Sequence, residues 1–185
     1  MTEVDREALL KDLNIIINCA GSTEFGNTLD AATRINVSGP LKLLQLAEDC
    51  RHFECICHIS TCYAVCDHQG VFEETLKHNP AYNWRNLYDQ IQSMEKRDLE
   101  VHEKTIIGSF PNTYTFTKRM AEHLLVENNR KAIPLVIVRP SIIGASLDEP
   151  FPGWTDSITL AGGIYLIAGM GILRELPGDQ NNIGD

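Results

Sequence analysis

Apolar residues along this chain gather in dense blocks separated by polar or glycine-containing stretches, and the spacing inside each block identifies its element. DREALLKDL (5–13) reads as a short amphipathic helix that runs into NIIIN (14–18), a strand apolar enough to be buried on both faces. After a loop of small and polar residues over 19–27, apolar positions recur with helical spacing through Ile35, Val37, Leu41, Leu44, Leu46 and Ala47. ECICHIS (54–60) is the next strand. Residues 67–109 differ in character, with Asn, Pro and Trp followed by the charged stretch YDQIQSMEKRDLEVHEKTI; they predict an inserted loop plus a solvated helix. A further helix starts after Pro111 and Asn112 and runs to about Asn129. PLVIVRP (134–140) is the third strand, β-branched and stopped by Pro140.

Three buried strands alternating with long helices predict an α/β fold, a partial Rossmann-like doubly wound parallel sheet with helices on both faces. The chain opens in mid-rhythm, so the first βαβ units of such a domain are expected outside it. The apolar run 159–173 is interrupted by Gly162, Gly163, Gly169 and Gly171 and is shorter than the roughly 20 residues a membrane span needs. It predicts a buried or substrate-lining helix and no membrane span.

With 185 residues, 43% of them hydrophobic, the composition is that of a soluble globular protein. A formal net charge of −9 without a basic cluster argues against nucleic acid as a partner. Cys19, Cys50, Cys55, Cys57, Cys62 and Cys66 include no C-x-x-C pair and follow no secretory signal. They read as reduced, mostly buried thiols of an intracellular chain, with no metal site.

The chemistry concentrates in YTFTKRMAE (114–122). Tyr114 and Lys118 stand four residues apart, which puts a phenol and an ammonium on one helical face. Positive charge beside a phenol favours its ionised form, so the pair is a candidate acid for a carbonyl being reduced. In open parallel sheets, ligands bind beyond the carboxyl ends of the strands. Asn18-Cys19-Ala20-Gly21 follows the first strand, where small residues permit close backbone approach; Ser60 and Thr61 follow the second, where a hydroxyl suits a substrate oxygen. Arg139-Pro140-Ser141-Ile142-Ile143 follows the third and offers an apolar border to a flat ring.

INCAGSTEF, INVSGPLKLLQLA, HISTCY, YTFTKRMAEHLL, PLVIVRPSII and EPFPGWTDS, in this order, resemble the extended short-chain dehydrogenase/reductase superfamily. Within it they resemble the alcohol-forming fatty acyl-CoA reductases, also called the male-sterility family. The resemblance covers nearly the whole chain. It implies NADPH as cofactor and long-chain fatty acyl-CoA as substrate, reduced through a hemithioacetal and an aldehyde to a primary alcohol. It implies Tyr114 as proton donor, Lys118 lowering its pKa and binding the nicotinamide ribose, and Thr61 or Ser60 orienting the carbonyl oxygen. Ala20, Gly21 and Asn36 are expected along the cofactor's path, with Pro140, Ile142 and Ile143 bordering the nicotinamide.

On the same resemblance, 1–145 is the C-terminal part of an NAD(P)-binding domain carrying the insertion 67–109, and 146–185 begins the substrate region. The family's glycine-rich pyrophosphate loop is not found before the first strand, and Cys66 stands near the position of a usual asparagine. The alternatives are a reductase of carrier-bound thioesters and a non-catalytic truncated remnant. Association with the endoplasmic reticulum or peroxisomal membrane is expected only through segments outside this sequence.

Overall fold

A computed structural model describes residues 2–66, 70–156, 158 and 161–178. The chain divides into two compact units, Met1–Arg139 and Pro140–Asp185. In the first, α1 (Glu3–Asp12) starts at a capping box between Thr2 and Asp5 and leads into β1 (Ile15–Asn18). The expected helix after the 19–27 loop is a continuous run of α2 (Leu29–Thr33), a π-helical turn (Arg34–Ser38) and α3 (Gly39–Asp49). Then come β2 (Cys55–Ile59), a 3₁₀ turn (Cys62–Val65), α4 (Trp84–Ser93), α5 (Lys96–Ile107), α6 (Thr113–Asn128) and β3 (Leu135–Val138). The strands pair in parallel in the order β1-β2-β3, with Asn18 opposite His58 and His58 opposite Ile137. Each crossover contains helices, as parallel pairing requires, and the partial Rossmann-like sheet is present.

Its two faces differ. Asn18, Ile56 and His58 are buried on the side where α3 packs against β1 and β2. On the alternate positions Ile15, Ile17, Val136 and Val138 are exposed, Ile17 by 69%. The expectation of helices on both faces therefore holds for one of them. A β-branched apolar run reports a strand but does not say which of its faces receives a partner. The cysteines follow the same correction. None of the six is buried: Cys19 and Cys66 are exposed, and Cys50, Cys55, Cys57 and Cys62 are half-buried. Cys55 and Cys57 share the open-face positions of β2.

The insertion also departs from its reading. Residues 67–69 lie outside the described residues, but 84–107 form a pair of helices that supply core. Trp84 and Ile91 of α4 and Leu99, Ile106 and Ile107 of α5 are buried with Phe110, Phe116 and Leu29. Trp84, Leu87, Tyr88 and Ile91 recur at three- and four-residue intervals, a helical stripe that the charged residues between them obscured. Tyr82 stacks on Trp84 at 4.9 Å, and Gly108 closes α5 at φ +61°, where an added Cβ would stand 2.6 Å from the Tyr82 hydroxyl. Only glycine fits there.

The central element is α6. Phe116, Met120, Ala121, Leu124 and Leu125 are buried, and so are Thr117, Lys118, Arg119 and Glu122. A helix enclosed on so many sides must pair its charges internally. Glu122 accepts two hydrogen bonds from Arg139 at the end of β3, both 2.8 Å, and one from Arg119 at 3.3 Å. Arg119 also donates to the carbonyl of Lys77 at 2.6 Å. Glu122 and Arg119 have 0% exposed side chains and Arg139 18%.

In the second unit, Ser146 and Trp154 close a loop through a 2.7 Å backbone bond, and α7 (Ala161–Gly169) follows. Ile164, Tyr165 and Leu166 are exposed, so this helix is not the buried one its composition predicts. No helix among the described residues is long and apolar enough to cross a membrane.

Replacing Glu122 by Gln leaves the buried Arg119 and the half-buried Arg139 without their counter-charge. The expected loss is about 3–5 kcal/mol of stability, read from the urea denaturation midpoint and its slope. A second expectation concerns acid. Burial, and after it the charge of Lys118, pushes the His58 pKa from 6.5 down to about 4. Burial alone would raise the Glu122 pKa, but its bonds and charge pairing with the arginines hold it below 4.5. Both groups have depressed folded-state values, so the unfolded chain binds more protons. Stability should be fully present above pH 6.5 and decline as pH falls toward 4. Denaturation midpoints across that range check this, and His58→Gln should flatten the upper part of the decline.

Candidate active site

The site forms where the N-terminal half of α6 meets the carboxyl ends of β1 and β2. Asn112 caps α6, its side chain accepting from the Thr115 N–H at 2.9 Å. That cap fixes Tyr114 in the first helical turn. Thr61 follows β2 in extended conformation and caps the 3₁₀ turn, accepting from the Tyr63 N–H at 3.3 Å. Its hydroxyl stands near the Tyr114 phenol and favours the phenol's ionised form. One turn along α6, the Lys118 ammonium donates to the Ile59 carbonyl at 2.6 Å. Thr61, Tyr114 and Lys118 are thus brought together as the sequence suggested.

Ser60 and Thr61 are adjacent on an extended chain, so they face opposite ways. The Ser60 hydroxyl is buried near the Glu122 carboxylate without a hydrogen bond of good geometry. Thr61 is the hydroxyl at the phenol.

The 19–27 loop forms the neighbouring wall. Ala20 and Gly21 are exposed after β1. A Cβ added to Gly21 would lie 3.3 Å from Asn36 Oδ1 and 3.9 Å from Lys118 Nζ, so the bare backbone leaves a recess beside the ammonium. Asn36 is 1% exposed. It clamps the loop, accepting from the Ser22 N–H at 2.8 Å and donating to the Ser22 carbonyl and to Thr117 Oγ1, each at 3.1 Å. It shapes the recess through Ser22. It does so from a π-helical turn, a distortion frequent at functional sites. Pro140, Ile142 and Ile143 belong to the second unit, where both isoleucines are exposed and Pro140 is half-buried.

The electrostatics differ from the sequence expectation. Burial raises the Tyr114 pKa above 10; the Thr61 hydroxyl opposes this, and the neighbouring Cys62 adds to it. Lys118 does not bring the phenol down here, because its ammonium is directed at the Ile59 carbonyl. The spacing of four residues put both groups on one helix face, and the long lysine side chain carries its ammonium to the carbonyl at the end of β2. Burial lowers the Lys118 pKa, and the carboxylate of Glu122 opposes that loss of charge.

Sequence reasoning missed Glu122, although its spacing carried the signal: it stands four residues beyond Lys118 and eight beyond Tyr114, on the same face. It also missed His58, which is 1% exposed, pairs with Asn18 at 3.1 Å through Nδ1 and keeps Nε2 buried without a partner. Among the described residues no cluster of His, Cys, Asp or Glu is arranged to hold a metal ion.

Residues 1–185 match an NAD-binding family model described as male sterility protein. Fatty acyl-CoA reductase 1 of Homo sapiens is 35% identical over 185 residues, which is 100% of this chain and 35% of that protein. Fatty acyl-CoA reductase 2 of Homo sapiens is 31% identical over the same length. The Drosophila melanogaster protein named fatty acyl-CoA reductase wat is 30% identical over 178 residues, 96% of this chain and 34% of that protein. The chain thus spans about a third of the length of the curated relatives it matches. A solved thiolation-reductase di-domain from an archaeal non-ribosomal peptide synthetase superposes with a TM-score of 0.48 at 22% identity, covering 77% of this chain and 26% of that one. With the family model matched from end to end, this chain belongs to the male-sterility family of NAD-binding domains, and fatty acyl-CoA reductases are among its relatives.

Proposed function

We propose that this domain reduces long-chain fatty acyl-CoA thioesters through an aldehyde to primary alcohols, with NADPH as the reductant. The observation that carries the reading is the Lys118 ammonium held at the end of β2, 2.6 Å from the Ile59 carbonyl, one helical turn from Tyr114, with the Thr61 hydroxyl near the phenol. The recess at Gly21 supports a nicotinamide cofactor, since it leaves backbone and ammonium open to ribose hydroxyls. Ala20 and Gly21 would flank that ribose, and Lys118 would hold it. When bound, NADPH would supply the hydride, one molecule for each of two rounds, with exchange of the oxidised cofactor between them.

The carbonyl oxygen of the thioester rests between the hydroxyls of Thr61 and Tyr114. As negative charge develops on it, Tyr114 passes its proton to that oxygen, which gives a hemithioacetal. As the coenzyme A thiolate leaves, the Tyr114 phenolate takes back the hemithioacetal hydroxyl proton, which leaves the aldehyde and a neutral phenol; the aldehyde oxygen then takes the same position and the same proton source in the second round. A phenol with its pKa above 10 is neutral across the physiological range, the form a proton donor needs. The carboxylate of Glu122 opposes the loss of charge that burial imposes on Lys118, the group that would hold the ribose.

Tested at the protein's full natural length with a long-chain acyl-CoA, NADPH oxidation should fall by about 10²–10⁴ in Tyr114→Phe while NADPH affinity, read from its fluorescence, is retained. Thr61→Val removes the hydroxyl that favours the phenolate, so its alkaline limb should move to higher pH as kcat falls. Lys118→Met should lose both NADPH affinity and turnover. A Tyr114→Phe protein with undiminished turnover would exclude the mechanism.

A further inference from the structure

Phe25 occupies the second position of a turn closed by a bond from the Asn27 N–H to the Glu24 carbonyl, 3.3 Å. Such positions favour proline or small polar residues. A phenylalanine there is 60% exposed, so folding gains little from it. Its ring stands instead against the ring of Tyr114, centroids 5.9 Å apart and planes at 40°. That separation lies within the roughly 4.5–7 Å over which aromatic rings attract.

The turn is also tied to the residue before that tyrosine. Thr113 donates from Oγ1 to the Asn27 carbonyl at 2.9 Å, and the Asn27 side chain donates to Ser22 Oγ at 2.5 Å. Ser22 is held in turn by Asn36, at its N–H and at its carbonyl. Ring contact and hydrogen bonds from one turn therefore meet at the first residues of α6. Thr113 and Thr115 are buried there, while Tyr114 between them is half-buried. A ring fixed beside a side chain at such a rim limits both its rotation and its access to water.

We propose that Phe25 is a positioning residue for the reaction, whose ring holds the Tyr114 side chain in its working orientation and keeps water off the face it covers. The proposal rests on the reductase reading above; Phe25 acts through Tyr114 and touches no reacting atom.

The charges near the phenol belong to other residues. Cys62 acts on it from the 3₁₀ turn, and Lys118 follows one turn along α6 with its ammonium at the Ile59 carbonyl. Glu24, in the turn of Phe25, is exposed. In the groove beside Phe25, Glu103 accepts from the Leu29 N–H and Lys104 forms part of the wall. Phe25→Ala removes none of these groups. Burial is the largest cause of the raised phenol pKa, so uncovering Tyr114 should let it ionise at lower pH.

The test uses the protein at its full natural length, with a fluorinated tyrosine incorporated at position 114 so that fluorine NMR reports the ionisation of that phenol alone. Phe25→Ala should raise its ionisation constant about threefold to tenfold, a downward pKa shift of about half to one unit. With the ordinary tyrosine at 114, the alkaline limb of kcat should move the same way and kcat should fall about tenfold, while NADPH affinity is retained. Phe25→Tyr keeps a ring in place and should restore both. A fluorine titration unmoved in Phe25→Ala overturns the inference, whatever kcat does. So does a loss of NADPH affinity as large as the loss of kcat, which would assign Phe25 to the folding of the 19–27 loop. Because the titration needs no substrate, a shift that Phe25→Tyr reverses, in a protein that reduces no acyl-CoA, keeps the hold of Phe25 on Tyr114 and removes the reductase reading.

Discussion

The carboxylate of Glu122 is the point from which the arrangement of the first unit follows. It sits at 0% exposure between Arg119 of its own helix and Arg139 at the end of β3. Buried charges of this kind often add little net stability compared with a well-packed apolar core, but they tolerate few alternative geometries. Here they fix the distance and rotation of α6 relative to the sheet edge. Lys118 makes a second fixed point at the Ile59 carbonyl. With the helix held at both places, the Tyr114 phenol has little choice but to meet Thr61.

Preorganisation extends to the loop beside the helix. Asn36 uses its whole amide to hold Ser22 and Thr117, so the backbone at Gly21 is fixed before any ligand arrives. A donor or acceptor that is already in place needs no reorganisation during reaction, which is the main source of electrostatic catalysis. The long polar side chains that might have filled this corner are replaced by glycine and alanine.

Local features of the chain made much of this legible. Tyr114 and Lys118 announced a common helical face, Thr61 its place beyond a strand, and the β-branched runs their parallel sheet. The features that escaped are those made by distance or by burial. Glu122 and Arg139 are separated by a turn and a whole strand, and nothing in their local pattern says that both are enclosed. Trp84 and Ile91 lay under a charge-rich stretch that resembled a solvated surface helix. The open face of the sheet escaped for the opposite reason, because Ile17 and Val136 have strand-forming side chains whether or not anything covers them. The upward shift of the phenol required knowing its burial and the direction of the lysine, neither of which spacing encodes.

The placement of Tyr114, Lys118 and Glu122 on successive turns makes α6 a ruler graduated in both chemistry and stability. Insertion or deletion of one residue within it would rotate everything beyond by about 100°. Such a change would preserve every residue type of the site, and even its helical propensity, while parting the phenol from its lysine or the lysine from its latch. In this stretch the chain can therefore accept substitutions far more readily than changes of length, and variation in length is expected to accumulate in the loops on either side.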